Sequence, residues 1–111
     1  MTRNTLTPEQ AHVLSLPVVF TPKAWRESVH MDQPKSVSEI AQRLAHTVRA
    51  AWHAFMEDPL IEGAEFSIYR HPPSGDRGYR AFLAMKAERV KAPDSEFWHL
   101  EISLKFESRP E

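Results

Sequence analysis

Residues 36–56 constrain this chain more than any other part, because one local structure alone gathers their apolar side chains. Val37, Ile40, Ala41, Leu44, Ala45, Val48, Ala51, Trp52 and Phe55 recur at the i, i+3, i+4, i+7 spacing of an amphipathic helix with one wide buried stripe. Gln42, His46, Arg49 and His53 fall on the opposite, polar face. Ser36, followed three residues later by Glu39, has the form of a capping box, and Pro34 lies just upstream. Asp58-Pro59 ends the helix, since proline lacks the amide that would continue the ladder and the residue before it avoids helical geometry.

Two shorter helices precede it. Thr7-Pro8-Glu9-Gln10 places an N-cap, a proline at the first helical position and a glutamine that closes a capping box. Pro17 limits that helix, and the apolar run LPVVF (16–20) reads as a short strand at a sheet edge. Thr21-Pro22 repeats the helix-start pattern, opening a segment through Trp25 to Val29, and residues 30–35 form a linker.

The period changes from 3.6 to 2 in the C-terminal half. Trp98, Leu100, Ile102, Leu104 and Phe106 alternate with His99, Glu101, Ser103 and Lys105, which places the first set on a core face and the second in water. Residues 65–70 (EFSIYR) and 79–90 read as two further strands, with Phe66, Ile68, Leu83 and Met85 inward, joined by a turn-rich stretch at 72–78. Residues 91–95 make the next connection. Neighbouring strands with short loops pair antiparallel. The expected architecture is a single α+β domain over residues 1–111: a two-layer sandwich with the long helix on an antiparallel meander of three to four strands, plus two short N-terminal helices. Trp52 is expected to pack against the inward row of the last strand.

Composition narrows the function classes. The chain has 111 residues, 41% of them apolar and 26% charged, with net charge −1, so no global field attracts phosphate backbones or anionic membranes. It has no cysteine, which removes disulfides, thiolate nucleophiles and cysteine-ligated metals. The opening MTRNTLTPEQ lacks the apolar core of a signal peptide, and no apolar run spans a membrane, so a soluble, cytoplasmic protein without membrane contact is expected.

Catalytic motifs are missing. The three glycines, Gly63, Gly75 and Gly78, form no phosphate-cradling loop, and neither GxSxG nor HExxH occurs. His46 and His53 stand two helical turns, roughly 10 Å, apart and cannot chelate one ion. His71 and His99 meet only if the strand register brings them together. No cofactor or metal is expected. His99 and Glu101, two apart on one strand face, are the one candidate acid-base pair of a small enzyme. Exposed strand faces of alternating charge are ordinarily just solvated.

Two surfaces offer themselves for binding. On the helix, Arg43, His46, Arg49 and His53 make a mildly basic face suited to an acidic partner. On the sheet, Tyr69, Phe82 and Phe97 fall opposite the inward sets, with Arg70, Arg80 and Lys86 near them; aromatics interleaved with cations can stack unpaired bases. Exposed apolar patches more commonly mark protein contacts, and the neutral net charge favours that reading. The candidate partner-binding residues are therefore Arg43, His46, Arg49 and His53 from the helix with Tyr69, Arg80 and Phe82 from the sheet.

Residues 16–29 (LPVVFTPKAWRESV) resemble the opening of a family of small bacterial domains of unknown function carried on plasmids and integrative elements: a proline, an apolar pair, a threonine, then a short helix containing tryptophan. The order that follows, one long helix and then paired strands, is also similar. The resemblance implies a mobile-element setting and supplies no catalytic residues. In such a setting a small neutral chain is expected to be a non-enzymatic accessory or inhibitor protein that binds a host or defence protein, or a second copy of itself. Nucleic-acid binding through the sheet face is the alternative.

Overall fold

The structure, a computed structural model, describes residues 6–74, 78, 80–94 and 96–107. Gly75, Asp76 and Arg77 of the turn-rich stretch, the strand start at Tyr79, Ser95 and both chain ends lie outside the described residues. The element order is α1 (Pro8–Ser15), β1 (Val18–Phe20), α2 (Pro22–Ser28), α3 (Val37–Met56), β2 (Gly63–Arg70), β3 (Ala81–Lys91) and β4 (Trp98–Leu104). Among the described residues the fold is α+β, with three helices and a four-stranded mixed sheet in the order β1-β4-β3-β2.

Local chemistry accounts for the helix starts. At Thr7 the capping box is complete: its Oγ1 accepts from the Gln10 amide at 3.1 Å, and its own amide donates to Gln10 Oε1 at 3.0 Å. Thr21 Oγ1 accepts from the Ala24 amide at 3.1 Å and donates to Glu107 Oε1 at 2.8 Å, tying the start of α2 to the residues after β4. The box expected at Ser36 does not form. Ser36 Oγ pairs with Ser38 Oγ at 2.9 Å, and Glu39 Oε1 accepts from the Lys35 amide at 2.8 Å, one residue further upstream.

β2 and β3 pair antiparallel from Gly63↔Glu88 to Arg70↔Ala81, and β3 and β4 pair antiparallel from Met85↔Leu104 to Lys91↔Trp98. β1 departs from the expected pattern and lies parallel to β4, with Val18 opposite Leu100 and Phe20 opposite Ile102. Two helices and two strands separate β1 from β4 in the chain, and that is the long crossover a parallel pair requires. Pro17 sits at the sheet edge, its carbonyl accepting from the Leu100 amide at 2.8 Å, where a missing N–H costs nothing.

The inner face of the sheet carries Ile68, Met85, Ala87, Leu100 and Ile102, all buried, against Val13, Ala24, Ala51 and Phe55 of the helices and Leu16 just after α1. α3 packs on β2, its neighbour in sequence, while α2 covers β4. Trp52, expected against the inward row of the last strand, packs at the margin of the core cluster to which Leu100 and Ile102 of that strand belong. The centre of the buried face of α3 is the row Arg43, Thr47, Ala51, Phe55; Trp52 is only partly buried, and Val37, Ala41 and Ala45 of the apolar stripe are exposed. β4 ends at Leu104, so Phe106 is 81% exposed, and Trp98 at the other end of that strand is 43% exposed. Among the described residues no helix is long and apolar enough to cross a membrane.

Candidate functional site

The last residue of β2 explains the polar pair inside the buried row of α3. Arg70 has the parity of Phe66 and Ile68, so its side chain projects from the inner face toward the helix. There its Nη2 donates to Thr47 Oγ1 at 2.8 Å and to the Arg43 carbonyl at 3.3 Å. Thr47 Oγ1 in turn donates to the same carbonyl at 2.9 Å. Arg43 is buried, and its guanidinium is spread over three backbone carbonyls: Nε to Val29 at 3.0 Å, Nη1 to His71 at 3.0 Å and Nη2 to His30 at 3.2 Å. It joins α3, the end of α2 and the end of β2 at one point.

Beside this knot lies a groove of about 590 Å³, within the range of ordinary ligand sites, bounded by the linker before α3, the first half of α3, the end of β2 and the start of β3. Among the described residues, four permanent cations, Lys35, Arg43, Arg70 and Arg80, line it against a single carboxylate, Glu39. His46, His71, Gln42, Tyr69 and Met31 complete the wall. The ion pairs formed among the described residues, Arg26–Asp32, His30–Asp32, Lys86–Glu88 and Lys105–Glu65, involve none of the four cations. In a chain of net charge −1 this is a concentrated positive cleft, and low-dielectric walls focus its field.

The titration behaviour of the lining reflects that field. Burial, and then the neighbouring Arg43 charge, lower Arg70 to about 10, so it remains a cation at neutral pH. Arg43 is lowered by burial, with Glu39 opposing the shift. The imidazole of His46 is held below its ordinary value by burial first, then by the Arg70 and Arg49 charges, which favours its neutral form in the groove. The segment 30–35 is held in place by Asp32, whose amide donates to the Pro73 carbonyl at 2.8 Å and whose Oδ1 lies 3.1 Å from His30 Nε2.

Arg43, His46, Tyr69 and Arg80, expected on two separate surfaces, meet at this one groove. Arg43 contributes there as a buried tie, whereas the expectation placed it on an exposed helix face. Phe82 stands directly opposite Tyr69 across the strand pair; the two rings form an edge contact with centroids 5.4 Å apart and are 57% and 61% exposed. Arg49 and His53 are exposed further along α3, outside the groove lining. Phe97 does not join the aromatic pair, because it precedes Trp98, which pairs with Lys91 at the opposite end of β3.

The register likewise separates His71, which follows the Arg70↔Ala81 pair, from His99, which faces Val90 near the far end of β3. His99 and Glu101 share the outer face, and neither lines the groove or the smaller cavity formed by residues 91–94 and Glu96. Among the described residues no group of three or more His, Asp or Glu side chains is placed to hold a metal ion. Lys35 carries no motif that marks it; the sequence marks Glu39 only as a cap and Arg70 only beside the sheet aromatics, and the fold brings these three separate segments together at the site. No family model, curated protein or solved structure matches this chain at a significant level.

Proposed function

We propose that this chain is a non-enzymatic protein-binding module whose cationic groove receives an acidic segment of its partner. The observation that carries this reading is the excess of four cations over one carboxylate, among the described residues, in a single groove of a chain whose net charge is −1. Such a cleft attracts anions at encounter and rejects basic surfaces, so charge supplies both on-rate and selectivity. The Tyr69–Phe82 ring pair at its rim gives the apolar area that a charged cleft lacks, and exposed aromatics of this kind are common anchors of protein contacts.

The finer architecture belongs to the same proposal: with the helices gathered on the inner face, the molecule is a two-layer sandwich whose outer sheet face stays open to a partner or to a second copy. The resemblance over residues 16–29 adds the setting of a mobile element and an inhibitory or accessory role toward a host or defence protein. Single-stranded nucleic acid is the competing ligand, since Tyr69, Phe82 and Arg80 combine stacking with charge. The outer face beyond them alternates in sign through Glu65, Lys86, Glu88 and Lys105, which suits a polyanion poorly.

Fluorescence anisotropy with labelled acidic peptides and a single-stranded oligonucleotide tests the reading. Peptide binding that weakens in Lys35→Glu and Arg80→Glu supports it. Binding of the oligonucleotide alone, with a steep salt dependence, overturns it.

A further inference from the structure

The charge count of the groove fits one ligand chemistry better than others. A single carboxylate leaves most of the surplus of four cations over Glu39 uncompensated, whereas a dianion offsets more of it. The donors also come from different segments: Lys35 from the linker, His46 from α3, Arg70 from the end of β2 and Arg80 from the residue before β3. That convergence suits a group with several acceptor oxygens pointing outward, and arginine is the side chain best matched to it.

The floor is also fixed in advance. Arg43 is held by three carbonyls, and Arg70 is held through its Nη2 by Thr47 and the Arg43 carbonyl, so the two like charges stay close with no ligand present. Arg70 Nε is buried with no hydrogen-bond partner among the described residues. Keeping two neighbouring guanidinium groups beside neutral carbonyls is unfavourable, and the arrangement is relieved when an anion arrives.

We propose that the groove is a receptor for a phosphate monoester carried on the protein partner, a phosphorylated serine, threonine or tyrosine, so that binding depends on that modification. This rests on the reading of the groove as the partner-binding site. A phosphomonoester carries close to two negative charges at neutral pH and three strong acceptor oxygens, which answers both the charge surplus and the spread of donors. One such group fits a local cleft on a neutral chain, where an extended polyphosphate backbone finds no matching stripe of charge.

Isothermal titration of the full chain at about 0.1 M salt tests this with degenerate peptide pools centred on phosphoserine, phosphothreonine or phosphotyrosine. Matching pools with glutamate or the unmodified residue at the centre, inorganic phosphate and a single-stranded oligonucleotide complete the set. At least one phosphorylated pool is expected to bind about tenfold or more tightly than its glutamate counterpart. Arg80→Gln and Lys35→Gln, both exposed changes, are each expected to weaken that binding several-fold, and Lys91→Gln at the other end of the sheet leaves it unchanged. Equal affinity for the glutamate and phosphorylated pools overturns the phosphate inference and leaves the protein-binding reading intact. Inorganic phosphate binding as tightly as the best pool makes the ligand a free ion and overturns the inference. If no pool binds, or only the oligonucleotide does, the partner-site reading falls as well.

Discussion

Arg70 at the end of the edge strand and Thr47 in the middle of the long helix are joined by a hydrogen bond of 2.8 Å, and this contact sets the floor of the groove. Thr47 is fully buried, so its hydroxyl has no water to turn to if the arginine is lost. The same hydroxyl donates back to the Arg43 carbonyl, linking the two arginines through one side chain.

Thr47→Val keeps the shape of the side chain and removes both hydrogen bonds. It is expected to cost about 1 to 3 kcal/mol, the usual range for unpairing a buried polar partner. Thr47→Ser, which retains the hydroxyl, should lose clearly less. Urea denaturation of the two variants side by side makes the comparison; equal losses would mean that the methyl group and not the hydroxyl matters.

Arg43→Met is expected to be among the most destabilising changes in the chain. It leaves the carbonyls of Val29, His30 and His71 without their donor in a buried or half-buried position, at about 2 to 5 kcal/mol in total. A change below about 0.5 kcal/mol, typical of exposed surface sites, would show that Arg43 does not tie these segments together.

Arg43 and Thr47 depart from the amphipathic pattern because their burial depends on partners distant in the chain. The extent of α3 was legible because its apolar spacing and Asp58-Pro59 act within one segment. Its orientation was legible only in part. Arg43 and Thr47 occupy the most buried row, and polar residues register in a periodicity argument as solvent positions unless their partner is known. That partner, Arg70, sits 23 residues away from Thr47 in the chain. The strand periodicity set Ile68, Met85, Leu100 and Ile102 inward, as the structure has them, because alternation is a local property, whereas Ser103, expected in water, is buried. The parallel placement of β1 was not legible, since three residues carry no record of which strand they join. The groove escaped for the same reason: its cations come from four segments that only the fold brings together.

Phe55 and Trp52 separate the buried core from its margin. Phe55 is fully buried, so Phe55→Ala should cost about 3 to 5 kcal/mol through lost burial and a residual cavity. Trp52 is partly exposed, and Trp52→Ala should cost less than Phe55→Ala in spite of the larger side chain. His53→Ala, on the exposed face, should stay within about 0.5 kcal/mol. Thermal or chemical denaturation of the three variants checks the order, and a Trp52 loss exceeding that of Phe55 would place the centre of the helix interface one residue around.

His46 gives the fold a modest pH dependence. Its folded imidazole resists protonation below the ordinary value of 6.5, whereas the unfolded chain takes up the proton normally. The unfolded state therefore binds more protons as the pH falls, and stability that is full above about 6.5 declines below it. Because His46 is largely exposed, the effect is small and screened by salt. In His46→Gln the loss between about pH 7.5 and about pH 5.5 should be smaller than in the parent chain. Identical urea midpoint shifts in both would show that His46 is not the group responsible.

The most direct test of the central claim, that the cationic groove is the partner-binding surface, is amide NMR mapping of the chain titrated with an acidic peptide. The largest shifts are expected to cluster at Lys35, Gln42, His46, Tyr69, His71 and Arg80, and raising the salt concentration is expected to reverse them. Shifts concentrated instead around His99 and Glu101 at the far end of the sheet, with the groove residues unmoved, would contradict it.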